Sequence, residues 1–500
     1  MVALAVGGGM LPAGVIRPAS LQPAAAIVPR EAGLFEAPQP DDVRSVAKEA
    51  YVWGWPMAYV HALRLKLERV PAIGKSGGMP VAPLNRLAML TDRIQPRSTL
   101  VACPNQDVIY GFGIFDLAAS PVVLQIPDFG ERFWLYQLGD QRTDGFADVG
   151  SMHGTRPGCY LVVGPAWDGR VPPGITGVFR SPTRFAFCIP RIFFANDEAD
   201  RLAALPAVNH VVAYPLAEFT GELQRHDWSR VRWLPDLAAR GRHPRGVSPE
   251  SFFEALPELL DDVPPLPGEE PLYAQFRRLA RTIAADPARA AEAIAAAEES
   301  EREVLSPLFE FRNVGLPLSG HWTTLVNGAA FGTDYLTRLA VARSNVFVNR
   351  QCETKYYYQD LDALGRRLHG SRSYRITFPP TALPPARAFW SLTVYDERHA
   401  LPQGNGGRRT IGSRDPDLVF GPDGSLTIVI SDVDSIAAGT RLAASPEANR
   451  LAPPPGEFSL YLRIYWPEET AVAGEWTPPP VRVESDGPSL AMLHKTDGVR

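Results

Sequence analysis

The chain predicts an α+β protein: two antiparallel β-sandwich (jelly-roll-like) units, a helical N-terminal segment and a helical middle region. Three observations carry this. Short runs with a period of two crowd residues 100–193 and return after residue 370. Between them lies a stretch dominated by helix formers. The 49 Pro and 42 Gly suit many short strands joined by turns, because Pro cannot donate to a ladder and Gly supplies positive φ.

In chain order, Asp41-Asp42 opens a helical pattern through Val43, Val46, Ala47, Ala50 and Tyr51, with carboxylates at the positive end of the helix dipole. Pro56 should end or kink that helix, and a second is expected from residue 57 to residue 67. Residues 70–98 read as a Pro/Gly-rich connection. Strands follow at residues 121–127 (PVVLQIP), 132–138 (RFWLYQL), 159–164 and 184–189 (RFAFCI), separated by turn-forming Asp, Gly and Pro clusters. Ser248 followed by Pro249 is an N-cap with Pro in the first turn, introducing a helix over 252–260. Further helices are expected at 270–284, 287–305 and 332–346. Strand texture resumes at 374–378, 387–395, 425–430 and 457–465. The resulting organisation is 1–40 leader or disordered segment, 41–200 helix plus first β unit, 201–350 mostly helical connector, 351–480 second β unit and 481–500 tail.

Composition narrows the partners. A net charge of −5 gives no electrostatic reason to expect nucleic acid. No run reaches the ~20 apolar residues of a membrane helix, so no integral span is expected. The four cysteines form no C-x-x-C pair, which disfavours a zinc knuckle, and they leave one or two disulfides open. At the N-terminus an apolar stretch (residues 2–16) precedes Ala24-Ala25-Ala26 but has no Lys or Arg before it. It reads either as a disordered leader or as a clipped export signal.

Alternation locates the candidate chemistry. In residues 458–465, Phe458, Leu460, Leu462 and Ile464 share one face, while Ser459, Tyr461, Arg463 and Tyr465 share the other. Residues 389–395 divide in the same way, with Trp390, Leu392 and Val394 opposite Phe389, Ser391, Thr393 and Tyr395. A sheet that is aliphatic on one side and aromatic-polar on the other can line a ligand cavity from rigid elements; alternatively the polar face meets solvent or packs beneath helices. At the start of the first β unit, Asn105 and Asp107 stand two apart before Tyr110, and could orient a ligand or share a proton with a base. The competing reading has them satisfying backbone groups at a strand entrance. None of the nine histidines forms a metal-binding spacing, so no metal site is assigned and nothing local argues for one, a site assembled from distant residues staying open; His153, between two Gly-containing turns, is the one to test. Arg408-Arg409 is an Arg pair in a turn, of a kind that clamps carboxylate or phosphate when not simply solvated. No nucleophile elbow, phosphate loop or dinucleotide fingerprint occurs. Cofactor-free chemistry is the expectation, the cofactor itself being unknown.

The ordered matches AKEAYVWGWP (47–56), PNQDVIY (104–110), Pro127-Asp128 and Ser181-Pro182-Thr183 in the first half carry a family resemblance. In the second half it is carried by Asp334-Tyr335-Leu336-Thr337-Arg338, FWSLTVY (389–395), DGSLTI (423–428) and LRIYWP (462–467). Together they resemble the bacterial tandem of domain of unknown function 1254 with domain of unknown function 1214. The resemblance implies two sandwich-like units with packed helices, and relatives that often carry export signals, which favours an extracytoplasmic location. It implies no established activity. The expected function is a small-molecule cavity between the β units, serving a cofactor-independent hydrolase, lyase or isomerase. Candidate catalytic residues are Asp107, Tyr110, Tyr395 and Arg463; candidate ligand-binding residues are Asn105, His153, Trp390, Ser391 and Tyr461. The alternative is a non-catalytic binding or envelope-associated interaction protein. An oligomer is compatible with either.

Overall fold

The computed structural model describes residues 42–95, 102–195, 197–235, 247–403, 407–431 and 449–484. The expected leader and almost all of the tail lie outside them.

Each β unit is a pair of facing sheets. In the first, the strand Phe185–Phe193 sits between Val108–Asp116 and Trp134–Asp140, antiparallel to both. The facing sheet centres on Val122–Ile126 and Gly158–Val163. Ile109, Phe115, Tyr136, Leu138 and Cys188 of one sheet meet Val122, Leu124, Leu161 and Val163 of the other in one core. In the second unit, Phe458–Pro467 lies between Thr354–Gln359 and Ala386–Asp396 in a six-stranded sheet. Tyr374–Phe378 and Leu426–Ile430 form the centre of the facing four-stranded sheet. Phe458, Leu460, Leu462 and Ile464, with Trp390, Leu392 and Val394, fill the space between these sheets, each aliphatic side chain contributing about 1.5–3 kcal/mol by leaving water.

Two strand pairs are parallel, contrary to the wholly antiparallel expectation. Gly158–Val163 runs parallel to Ile175–Arg180, and Leu426–Ile430 runs parallel to Arg450–Leu451. In both cases the later strand takes an edge of its sheet, where a crossover connection can return without breaking an existing ladder.

The helices cover the other face of the six-stranded sheet. Val43–Glu68 is one helix, not two. Asp42 caps it by accepting from the Ser45 N–H at 3.2 Å; Asp41 lies outside the described residues. Pro56 does not end it. Tyr51, Val52, Trp53, Trp55 and Met57, on both sides of the proline, are completely buried, and that packing outweighs the hydrogen bond which Pro forfeits. Pro249–Asp262 begins at Ser248 with Pro249 in its first turn, closed by a reciprocal Ser248–Ser251 capping box. Glu270–Ala285, Pro287–Ser300 and Tyr335–Ser344 complete this layer, Pro287–Ser300 running on into a π turn at Glu301–Leu305. The long helix and its neighbours share one core with Tyr356, Tyr358, Tyr395 and Tyr461 of the sheet. The aromatic-polar face is therefore inside the molecule. Among the elements without a counterpart in the sequence reading are the helix Glu198–Val208 and the strands Ile175–Arg180 and Thr354–Gln359.

Among the described residues, no helix is long and apolar enough to cross a membrane. All four cysteines are free thiols, so neither of the disulfides left open above forms here.

Candidate functional site

The two β units meet along an aromatic seam. Phe389 and Tyr465 of the second unit stack at 4.4 Å, and Phe193 of the first unit approaches Phe389 at 4.4 Å. Beside the seam, residues 103–107 of the first unit are held by side chains of the second. The Tyr395 hydroxyl donates to the Pro104 carbonyl at 2.7 Å. Arg463 Nη2 donates to the Cys103 carbonyl at 2.7 Å, and Asn105 Nδ2 donates to the Tyr465 hydroxyl at 2.6 Å. Asn105 Oδ1 in turn accepts from the Asp107 N–H at 2.8 Å. This local bond is the backbone-satisfying role that competed with a ligand role for Asn105.

Arg463 is buried and lies over the Tyr461 ring at 3.6 Å and the Tyr395 ring at 5.5 Å. Burial opposes its charge, and the faces of the Tyr461 and Tyr395 rings offset part of that cost. Tyr461 accepts from Asn345 Nδ2 and lies 3.2 Å from the Tyr358 hydroxyl. Burial pushes the phenols of Tyr395, Tyr461 and Tyr465 well up, so all three act as neutral hydrogen-bonding groups.

Asp107 differs from these neighbours. Its Oδ2 is buried and has no hydrogen-bond partner among the described residues, as is also true of Ser391 Oγ and Arg463 Nη1. Burial raises its carboxyl to about 6, against the opposing pull of Ser391 and Arg463. Asp107 borders a cavity of about 390 Å³ lined by both units. Gln106, Asp107, Phe193 and Phe194 come from the first; Phe389, Trp390, Arg408, Arg409, Thr410 and Arg414 come from the second. The Thr410–Gly412 strand brings its wall close to Ala386–Asp396: a Cβ on Gly412 would lie 2.6 Å from the Trp390 carbonyl oxygen. Glycine is needed there for the approach.

The candidate residues thus divide. Asp107 and Trp390 border the cavity, Trp390 with its indole rooted in the second sandwich core. Tyr110, three residues after Asp107, borders a separate apolar space of about 100 Å³ with Cys103 and Phe347. Tyr395, Arg463, Asn105 and Tyr461 are engaged in the clamp, and Ser391 pairs across the sheet with Arg463. His153 sits elsewhere, with Nε2 3.0 Å from Glu353 Oε1 and 4.0 Å from Asp148 Oδ1. These three could offer ligand atoms to a cation. However, Arg350 pairs with Asp148 at 2.5 Å and donates its N–H to Glu353 at 3.0 Å, so the group is an ion-paired clasp between the units. Arg93 and Arg414 were not singled out from the sequence; they stand more than 300 residues apart, and no local pattern could have joined them.

A two-unit β protein with helices on an internal aromatic face, closing on a small cavity at the seam, is the class that fold and site define. A family profile described as "Protein of unknown function (DUF1254)" matches residues 84–215, and "Protein of unknown function (DUF1214)" matches residues 353–469. The two profiles thus match in tandem, in the order of the family that the sequence resembles. The chain is similar in fold to the VPA0106 protein from Vibrio parahaemolyticus, known from a crystal structure, at 20% identity and a TM-score of 0.55, covering 89% of this chain and 100% of that one. An uncharacterized protein from Burkholderia cenocepacia aligns at 9% identity and a TM-score of 0.41, over 89% of this chain and 94% of that one. No curated protein matches.

Proposed function

We propose that the protein binds a small organic molecule in the cavity at the seam, and that Asp107 transfers a proton to or from it, as a cofactor-independent hydrolase, lyase or isomerase would require. The observation that carries this reading is the buried, unpartnered Oδ2 of Asp107 at the wall of a 390 Å³ space. That volume lies within the range of small-molecule sites. An acid raised to about 6 exchanges protons readily near neutral pH. Tyr395, Arg463 and Tyr465 act as positioning residues: they fix the backbone and Asn105, which in turn fix Asp107.

A second reading, a binding protein without catalysis, draws on the same geometry. Of the four candidate catalytic side chains, Asp107 alone borders this cavity, the other three being engaged in the clamp or in the separate apolar space.

The test incubates full-length wild type and Asp107→Asn with a bacterial metabolite extract, followed by native mass spectrometry of the protein and quantification of the extract. Depletion of one compound by wild type alone, with both proteins retaining it, supports catalysis through Asp107. Retention by both without depletion assigns the binding role, and retention by neither overturns the cavity reading.

A further inference from the structure

The apolar space beside Tyr110 shares no lining residue with the seam cavity. It lies where the long helix Val43–Glu68 meets the first β unit, with Leu67, Val81, Phe112, Ile189 and Phe347 in its wall. Two cations, Arg191 and Lys66, border the same space, and no Asp or Glu does. Arg191 is only 5% exposed. Its guanidinium lies 5.5 Å from the centre of the Tyr110 ring. Its one hydrogen bond among the described residues, from Nη1 to the Ile189 carbonyl, spans 3.5 Å, and no carboxylate among them forms an ion pair with it. A guanidinium carries five N–H donors, and a buried charge ordinarily has a counter-charge. Lys66 is half-buried, and burial alone holds its ammonium below its ordinary pKa, with no acid opposing the shift. The wall is also strained. Cys103 and Val346 border it with φ of 51° and 89°, a region costly for any side chain and most of all for a β-branched one. Such strain persists where the surroundings over-determine it, and it gathers at ligand clamps.

We infer that this space binds a small aliphatic carboxylic acid, its carboxylate on the Arg191 guanidinium and its chain against Leu67, Val81, Phe112 and Phe347. A carboxylate meets a guanidinium in two-point geometry and supplies the counter-charge that the wall does not. The apolar lining favours a hydrocarbon chain over an inorganic anion. An apolar void of about 150 Å³ takes one benzene-sized guest, so about 100 Å³ limits the chain to a few carbons. Helix and sheet both contribute to the wall, so the ligand ties the helical layer to the first β unit. This site is additional to the seam cavity and does not depend on Asp107.

The experiment uses isothermal calorimetry on the full-length protein at pH 7.5, with butyrate and hexanoate, their neutral amides, and inorganic phosphate as probes. The acids are expected to bind at least about tenfold more tightly than the amides, because the amides lose the charge-assisted hydrogen bonds. Arg191→Gln should remove that preference while leaving amide binding within about twofold. Lys66→Gln, at the half-buried edge, should weaken acid binding by about twofold to fivefold. Leu63→Trp, which fills the space from the helix side, should abolish binding of acid and amide alike. Thermal unfolding checks that each variant is folded; should Arg191→Gln not fold, Lys66→Gln and Leu63→Trp decide the question. Amides binding as tightly as acids would overturn the ligand class, and so would phosphate competing as well as the acids. Acid binding unchanged by Leu63→Trp, or no binding by any probe, would overturn the site. None of these results alters the seam-cavity reading, which stands or falls on the metabolite experiment.

Discussion

Replacing Asp107 by Asn should stabilise the protein at neutral pH and do little at pH 4. A carboxyl whose ordinary value is 3.8 and which burial raises to about 6 is held more tightly as the neutral acid in the folded state than in the unfolded chain. Between those two values the folded state binds the proton that the unfolded state has released, so stability falls as pH rises through the window, then levels off above about 6. At 1.36 kcal/mol for each tenfold change in acidity, the full cost is roughly 3 kcal/mol. Asparagine keeps the shape without the charge and escapes that cost. The assay is urea unfolding of wild type and Asp107→Asn from pH 4 to pH 8, followed by tryptophan fluorescence. Taking the difference at each pH cancels other buried acids such as Asp140, which burial raises to about 7. The variant should gain nothing near pH 4 and roughly 2–3 kcal/mol at pH 7.5. A pH-independent difference, or an advantage that shrinks as pH rises, would refute the account of a desolvated carboxyl.

Other outcomes follow from the clamp and the core. Arg463→Met leaves the Cys103 carbonyl unpaired and removes the charge stacked on Tyr461, so it should cost about 2–4 kcal/mol in urea unfolding; a loss below about 1 kcal/mol would show that the clamp matters little. Tyr465→Phe deprives Asn105 of its acceptor. A loss of about 1–2 kcal/mol is expected, with the Asp107-dependent pH profile weakened because the segment carrying Asp107 loosens; an unaltered profile would argue that Asn105 is held by other contacts. Leu462→Ala, in the fully packed second sandwich, should cost about 2–5 kcal/mol in urea unfolding; a loss below about 1 kcal/mol would show that the sandwich closes around the missing side chain.

Much of this architecture could be read from alternation. The faces assigned to residues 458–465 are those the structure shows: aliphatic side chains fill the second sandwich, and Tyr461 and Arg463 are buried on the opposite face. The strand Thr354–Gln359 escaped because its six residues (TKYYYQ) carry no aliphatic alternation. Its tyrosines stand on both faces, Tyr357 in the sandwich and Tyr356 and Tyr358 beneath the helices, so neither face reads as the aliphatic one. Pro56 misled because local helix energetics were outweighed by packing along the whole helix.

Spacing also separates two of the candidate site residues. Asp107 and Tyr110 are three apart, an odd separation that sends extended side chains to opposite faces, and they border separate spaces. The tyrosines and Arg463 were legible as interior polar groups but not as partners of backbone carbonyls at residues 103 and 104, some 290 to 360 positions away. Arg408-Arg409 was visible as a pair. Its convergence with Arg93 and Arg414 was not, because only the closed seam brings them to one wall.

A crystal of the full-length protein soaked in the compound retained in the metabolite experiment tests the central claim most directly. The compound is expected in the seam cavity, against Phe193 and Phe389 and within hydrogen-bonding reach of Asp107. Density for it in the apolar space beside Tyr110, or a seam cavity holding only water under saturating compound, would contradict the proposed function.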